Sequence, residues 1–399
     1  MAASKHHKVV VVGGGTAGIA VAAKLRLEGE TDIAVIEPSE THYYQPIYTL
    51  IGAGVAPRSA ASRPQSSVMP KDVAWIKAYA QNVDPDNQIV SLSNGSDVAY
   101  DYLVVCPGIQ LNFGGVSGME EAMTTSRVSS NYLLASTADT ARNIAGFQGG
   151  GTALFTQPMG PIKCAGAPQK IAYLAADTWR QKGILKDSRV VLVLPTPGMF
   201  GVKVFADALS VVAADYGIEV HLNSEVVEMD GTHAVVRNNA EGTTTTIDFD
   251  MAHVVPPQSA PDWIKGGPLA DPESPFGYVE VDQSTLQHKR YANIFSLGDA
   301  SSAPTSKTGA AVRHEYPVLV ANMLAQMKGR SLEASYDGYS SCPLVTSRTR
   351  MLLAEFDYKL EPKPSFKFID TTKPRRDMYY LKRYGLPFMY WNLMMKGRA

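Results

Sequence analysis

Two periods of hydrophobicity alternate along this chain, and the places where one gives way to the other mark its elements. The segment KVVVV, Lys8 to Val12, reads as a strand buried on both faces. It breaks into GGGTAG, and from Ile19 to Leu27 Ala, Val and Leu recur at helical spacing. After the turn residues Glu28 to Glu30 a second apolar strand runs from Asp32 to Ile36 and closes on Glu37. Strand, tight turn, helix and parallel strand make a βαβ unit.

The pattern returns farther on. DYLVVCPG (Asp101 to Gly108) and GTALFTQP (Gly151 to Pro158) read as further buried strands, the first ending in a glycine turn. From Ser188, RVVLVLP, a helix-like stretch from Val202 to Ala214 and IEVHL form a second βαβ unit. YANIFSLGDASS (Tyr291 to Ser302) is again a strand followed by a glycine turn, this one carrying an acid. The pattern predicts an α/β fold with two Rossmann-like domains. One is assembled from residues 1–112 and 271–318, the other is inserted at 113–270, and residues 319–399 form a C-terminal interface region.

Composition removes several function classes. The 399 residues exceed what one hydrophobic core organises. A net charge of −1 gives no field for holding nucleic acid, and 45% apolar against 19% charged residues excludes a disordered chain. Three cysteines are too few for a secreted disulfide scaffold, so a bridge here is expected to be redox-active. The start, MAASKHHK, lacks the apolar core and cleavage site of a signal peptide, and no stretch approaches the roughly 20 apolar residues of a spanning helix. Eight histidines show no metal-ligand spacing, so no metal site is expected.

The first turn fits G-x-G-x-x-G as Gly13, Gly15 and Gly18, with Glu37 19 positions beyond the last glycine. Gly13 permits the tight turn, Gly15 lets backbone approach a pyrophosphate, and Gly18 lets helix and strand pack closely. The helix start then offers unpaired N–H groups to phosphate, and Glu37 would accept from the adenosine ribose hydroxyls. In the second unit Pro195, Pro197 and Phe200 stand where those glycines would be. Proline removes an N–H and phenylalanine keeps helix from strand, so no nicotinamide dinucleotide is expected there, although Gly198 and Gly201 leave a shifted loop open. A reductant other than a pyridine nucleotide is then required. Cys164, in QPMGPIKCAGAPQK just before a helix starting near Pro168, and Cys342, in GYSSCPL, are the candidates. Residue types alone favour reading them as two unrelated buried cysteines. Cys106 reads as packing, Lys163 as a neighbour that points away from Cys164, and His314 as structural.

The glycine fingerprint together with the late strand-Gly-Asp turn resembles the two-dinucleotide-binding flavoprotein reductases, which implies FAD, with Asp299 on its ribityl chain. The likeness narrows through THYYQPIYTLIGAG, YDYLVVCPGIQLNF, PIKCAGAPQK, SLGDASSAPTSKTGAA and YSSCPLVT: over nearly its whole length the chain resembles the sulfide:quinone oxidoreductases. That resemblance implies that Cys164 and Cys342 form a redox-active disulfide, with Cys342 carrying the sulfane sulfur and Cys164 the thiolate that attacks the flavin. It implies FAD contacts at Gly13, Gly15, Thr16, Ala17, Gly18, Glu37, Gln45, Val83, Gly108, Gly298, Asp299, Lys307 and Thr308, with Lys307 stabilising the reduced flavin. The expected partners are hydrogen sulfide, a membrane quinone and a small sulfur acceptor, and a homo-oligomer is compatible with the chain. The rival readings are a type 2 NADH:quinone reductase, a flavoprotein sulfide dehydrogenase feeding a cytochrome, and a flavin-binding protein without turnover.

The last 39 residues differ from the rest: nine Lys or Arg, three acids and eight aromatics. Within Tyr379 to Met395, Lys382 and Arg383 stand among Tyr384, Phe388, Tyr390 and Trp391, residue types that settle at a lipid headgroup boundary. The expectation is a monotopic protein held by this tail at the cytoplasmic face of a bacterial inner membrane, with the mitochondrial inner membrane as the alternative.

Overall fold

The computed structural model describes residues 5–399. The strand Lys5–Val12 lies at the centre of a seven-stranded sheet, parallel to Ile33–Ile36 on one side and to Asp97–Val105 on the other. Val9 to Val12 are buried, as a strand covered on both faces requires. The late strand Ile294–Ser296 joins the same sheet, parallel to Asp97–Val105. Val12 pairs with Ile36 and with Val105, and Val105 pairs with Ser296. The carboxyl ends of these four strands therefore align, and whatever follows each one is delivered to a single edge.

A second parallel sheet has five strands, in the order Val128–Ser129, Met251–His253, Thr152–Thr156, Arg189–Val193 and Glu219–His221. Its strands all fall between the two stretches of chain that build the first sheet. The short antiparallel pair Gln110–Leu111 with Gln258–Ser259 lies where the chain leaves the first sheet and returns to it.

The C-terminal part contributes the hairpin Ser340–Ser347 with Arg350–Phe356, followed by short helical segments from Arg376 to Asn392. The hairpin packs on the helix Ala167–Gln181, which places the second cysteine segment against the first. No described helix is long and apolar enough to cross a membrane.

Candidate active site

The glycine turn is shaped by close approach. Gly13 has φ +101°, and a Cβ there would lie 2.4 Å from the Cys106 carbonyl oxygen. At Gly18 a Cβ would lie 1.7 Å from the Gly13 carbonyl oxygen, so the helix Thr16–Leu27 can sit this tightly on its strand only with glycine there. Gly15 meets nothing within 4 Å and opens onto a cavity of about 580 Å³. One carboxylate oxygen of Glu37 accepts from the Gly14 N–H (2.8 Å) and the other from the Ser39 N–H (2.7 Å). Burial nevertheless raises its carboxyl above the usual range.

The cavity runs from this turn past the ends of the aligned strands. Gly13, Gly15, Thr16, Ala17, Glu37, Gln45, Gly108, Gly298, Asp299, Lys307 and Thr308 all line it. Gly18 is turned away and serves the packing. Val83 is the misplaced member of the expected set. It lies on the strand Ala80–Asp84, third in order from Lys5–Val12 on the far edge of the sheet, and faces Trp263 and Leu269 across a small crevice. Sheet order, which is invisible in local pattern, separates it from the cavity.

These residues fit FAD. An open glycine at a helix start, with no side chain capping the helix, leaves backbone N–H groups free for a pyrophosphate. A half-buried carboxyl, Asp299, faces the cavity at the other end, its ionisation opposed by desolvation and favoured by Lys307 and Lys163. The Lys307 ammonium donates to the Ser301 carbonyl (2.9 Å) and lies 3.8 Å from the Tyr278 ring centre. Burial lowers its pKa to about 8 against the pull of Asp299.

The two distant cysteines meet at the cavity wall. Cys164 Sγ is 3.9 Å from Cys342 Sγ, and both thiols are free. Cys164 has φ +52°, and its N–H donates to the Lys307 carbonyl oxygen (2.8 Å). Strand alternation turns Ser341 and Pro343 toward the cavity and Cys342 away from it, so Cys164 stands between the cavity and its partner. Gly166 makes the approach possible: a Cβ there would be 2.6 Å from Cys342 Sγ and 2.4 Å from Leu344.

Lys170, one turn into the helix Ala167–Gln181, donates to Cys164 Sγ at 3.0 Å. The Cys342 thiol, as hydrogen-bond donor, and the Lys170 charge together outweigh burial and hold Cys164 well below the ordinary thiol range. The same sulfur contact, with burial, holds Cys342 well above it. The two titrate as a coupled pair in which ionisation is favoured at Cys164 and disfavoured at Cys342. Lys170 was not singled out in the sequence, although it occupies a buried position on the same helical stripe as Tyr173 and Leu174, an unusual place for lysine. Lys163, Cys164's chain neighbour, points elsewhere and donates to Gln45 (2.7 Å). Cys106 is buried beside the Gly13 carbonyl, and burial pushes its thiol far up. His314 stacks on Tyr339 with centroids 4.0 Å apart, and burial lowers its pKa to about 4.

The tail departs from the expected arrangement. Lys382 is only 4% exposed, donates to the Pro46 carbonyl (2.8 Å) and lines the cavity, so it cannot meet lipid. Burial, then the nearby Lys170 charge, lowers its pKa to about 7. Tyr390 and Trp391 are buried against Tyr44 and His42. Tyr380, Tyr384 and Phe388 are 60%, 63% and 63% exposed.

The second βαβ turn is filled by its own side chains. Phe200 meets Phe205 and Phe356 edge-on at 6.2 and 5.6 Å, and Gln169 donates to the Met199 carbonyl. The helix begins only at Lys203, well past the prolines.

Comparison with known proteins identifies the family. Residues 7–315 match the pyridine nucleotide-disulphide oxidoreductase family model. The mitochondrial sulfide:quinone oxidoreductase of Mus musculus is 40% identical over 99% of this chain and 88% of its own length. That of Dictyostelium discoideum is 39% identical over 98% and 86%. The crystal structure of the sulfide:quinone oxidoreductase from Aquifex aeolicus superimposes with a TM-score of 0.81 at 21% identity, covering 99% of this chain and 92% of that one. The chain is an α/β flavoprotein of the pyridine nucleotide-disulphide oxidoreductase family and belongs, within it, to the sulfide:quinone oxidoreductases.

Proposed function

We propose that this protein oxidises hydrogen sulfide at the Cys164–Cys342 pair and delivers two electrons, by way of FAD, to a membrane quinone. The observation that carries the reading is the cysteine pair itself: two thiols 178 residues apart in sequence and 3.9 Å apart in space, one of them accepting from a buried lysine, at the wall of the cavity that begins at the glycine turn.

In the oxidised state the two sulfurs form a disulfide. Hydrosulfide attacks Cys342 Sγ, the sulfur–sulfur bond breaks, and Cys164 leaves as a thiolate whose charge Lys170 stabilises. Cys342 is left as a persulfide. Transfer of its outer sulfur to a small nucleophilic acceptor frees the Cys342 thiolate, and closing the Cys164–Cys342 bond again releases two electrons. Gly13–Ala17, Glu37 and Asp299 would hold FAD, which would supply the two-electron acceptor between the cysteine pair and quinone. Of this pair Cys164 lines the cavity, which suits it to the electron-transfer side, while the shielded Cys342 suits storage of sulfur.

The filled turn at Pro195 to Val202 argues against a pyridine nucleotide as electron donor. The two relatives at about 40% identity, from Mus musculus and Dictyostelium discoideum, are mitochondrial proteins, which supports the mitochondrial inner membrane over the bacterial membrane favoured on sequence grounds. Docking would use the exposed rings of the tail rather than Lys382. The test is reduction of a short-chain quinone by purified protein. Sulfide should sustain turnover and NADH should not; turnover with NADH and none with sulfide would reject the proposal.

A further inference from the structure

The C-terminal segment reaches back to the first turn of the chain through a directed hydrogen-bond relay. His42 is buried, and its Nδ1 lies 3.2 Å from both the Gly14 carbonyl oxygen and Gln65 Oε1. The Gln65 amide orientation is fixed because its Nε2 donates to that same carbonyl at 2.8 Å. Both neighbours of Nδ1 are acceptors, so Nδ1 carries the ring proton. Burial lowers the His42 pKa to about 4, which leaves the ring neutral and Nε2 with a lone pair. Nε2 therefore accepts from the Tyr390 hydroxyl, 2.6 Å away, and the Tyr390 oxygen accepts from Thr16 Oγ1 at 2.9 Å. The relay runs from Thr16 to Tyr390 to His42 to the Gly14 carbonyl. It starts and ends on the turn that faces the cofactor phosphates.

We infer that Tyr390 is a positioning residue for the cofactor, and that the C-terminal tail is a latch whose docking and FAD binding stabilise each other. Satisfying the Gly14 carbonyl from behind keeps an oxygen dipole turned away from an anionic ligand, and engaging Thr16 fixes the first residue of the helix whose N–H groups face the phosphates. Leu386, Met389 and Met394 line the same cavity, so the tail is also one of its walls. Tyr390 is seated against Tyr44 at 4.5 Å, and the Arg63 guanidinium stacks over Trp391 at 4.3 Å, which fixes the wall to the sheet domain. By linkage, whatever loosens the tail weakens FAD, and loss of FAD loosens the tail.

The inference rests on the cavity being the FAD site, and the experiment separates the two. FAD release from holoprotein is followed by the fluorescence of freed flavin, and trypsin cleavage after Arg383 is compared in holo- and apoprotein. Tyr390→Phe should speed release about tenfold, because it strands both His42 Nε2 and the Thr16 hydroxyl. Thr16→Val should do the same, and the double variant should release FAD no faster than the faster single one. Tyr390→Phe should lower stability to chemical denaturation more in holoprotein than in apoprotein, and apoprotein should be cleaved faster than holoprotein. Release rates equal to wild type in both single variants, or equal cleavage with and without FAD, would overturn the latch. A protein that carries no flavin and takes up none would overturn the cofactor site itself.

Discussion

At Cys164 the chemistry depends on a neighbour six residues along the chain, Lys170, and on a glycine two residues away, Gly166. Because Cys164 ionises below the ordinary thiol range, the reduced protein should be alkylated at this residue at a pH where a free cysteine is still protonated. The rate should rise as pH climbs through its lowered pKa. Lys170→Met removes the stabilising charge and should move that profile to higher pH, with alkylation at neutral pH falling at least about tenfold. An unchanged profile would mean that Lys170 does not set the thiolate. Gly166→Ala places a methyl group inside the sulfur contact and should separate the thiols, cutting the rate of sulfide-dependent flavin reduction by at least about tenfold in a protein that keeps its flavin. Retention of the full rate would show that the close approach is dispensable. At this scale the sequence was only partly legible. The cysteine segments carry their meaning by resemblance to a family, since nothing in the residues brings positions 164 and 342 together. Lys170 carries no motif of its own, because its importance comes from the Cys164 contact and from the hairpin packed on its helix, which is distant in sequence.

The glycine turn, by contrast, could be foreseen from sequence, because a tight turn and a close helix–strand contact place their demands on neighbouring residues. Gly18→Ala should abolish FAD retention, since the added carbon would lie 1.7 Å from the Gly13 carbonyl and the helix would have to lift from its strand. Absorbance of the purified variant near the flavin bands checks this, and a fully yellow variant would refute it. Likewise the prolines and Phe200 of the second unit announced a turn without a phosphate cradle, and the edge-on packing of Phe200 on Phe205 and Phe356 shows what occupies that space. Elements fail to be legible where sheet order decides. Val83 has a plausible pattern, yet its strand pairs at the outer edge and faces a different crevice.

On the scale of the whole molecule, the tail divides into a buried face that closes the cavity and an exposed aromatic face. The basic and aromatic composition of that stretch reads as interfacial, but composition cannot say which side of a helix turns inward. Lys382, Tyr390 and Trp391 turn in; Tyr380, Tyr384 and Phe388 turn out. Replacing these three outward rings with serine should reduce binding to lipid vesicles at least about tenfold, as expected from the apolar surface removed, while the melting temperature changes little. Vesicle binding that survives would place the membrane contact elsewhere.

The most direct measurement is an anaerobic titration of the flavin-loaded protein with sulfide, followed in the visible spectrum, for wild type, Cys164→Ser and Cys342→Ser. The wild-type flavin should bleach at stoichiometric sulfide, and neither variant should do so on the same timescale. Bleaching that persists in both variants would mean that electrons reach the flavin without passing through this pair of sulfurs.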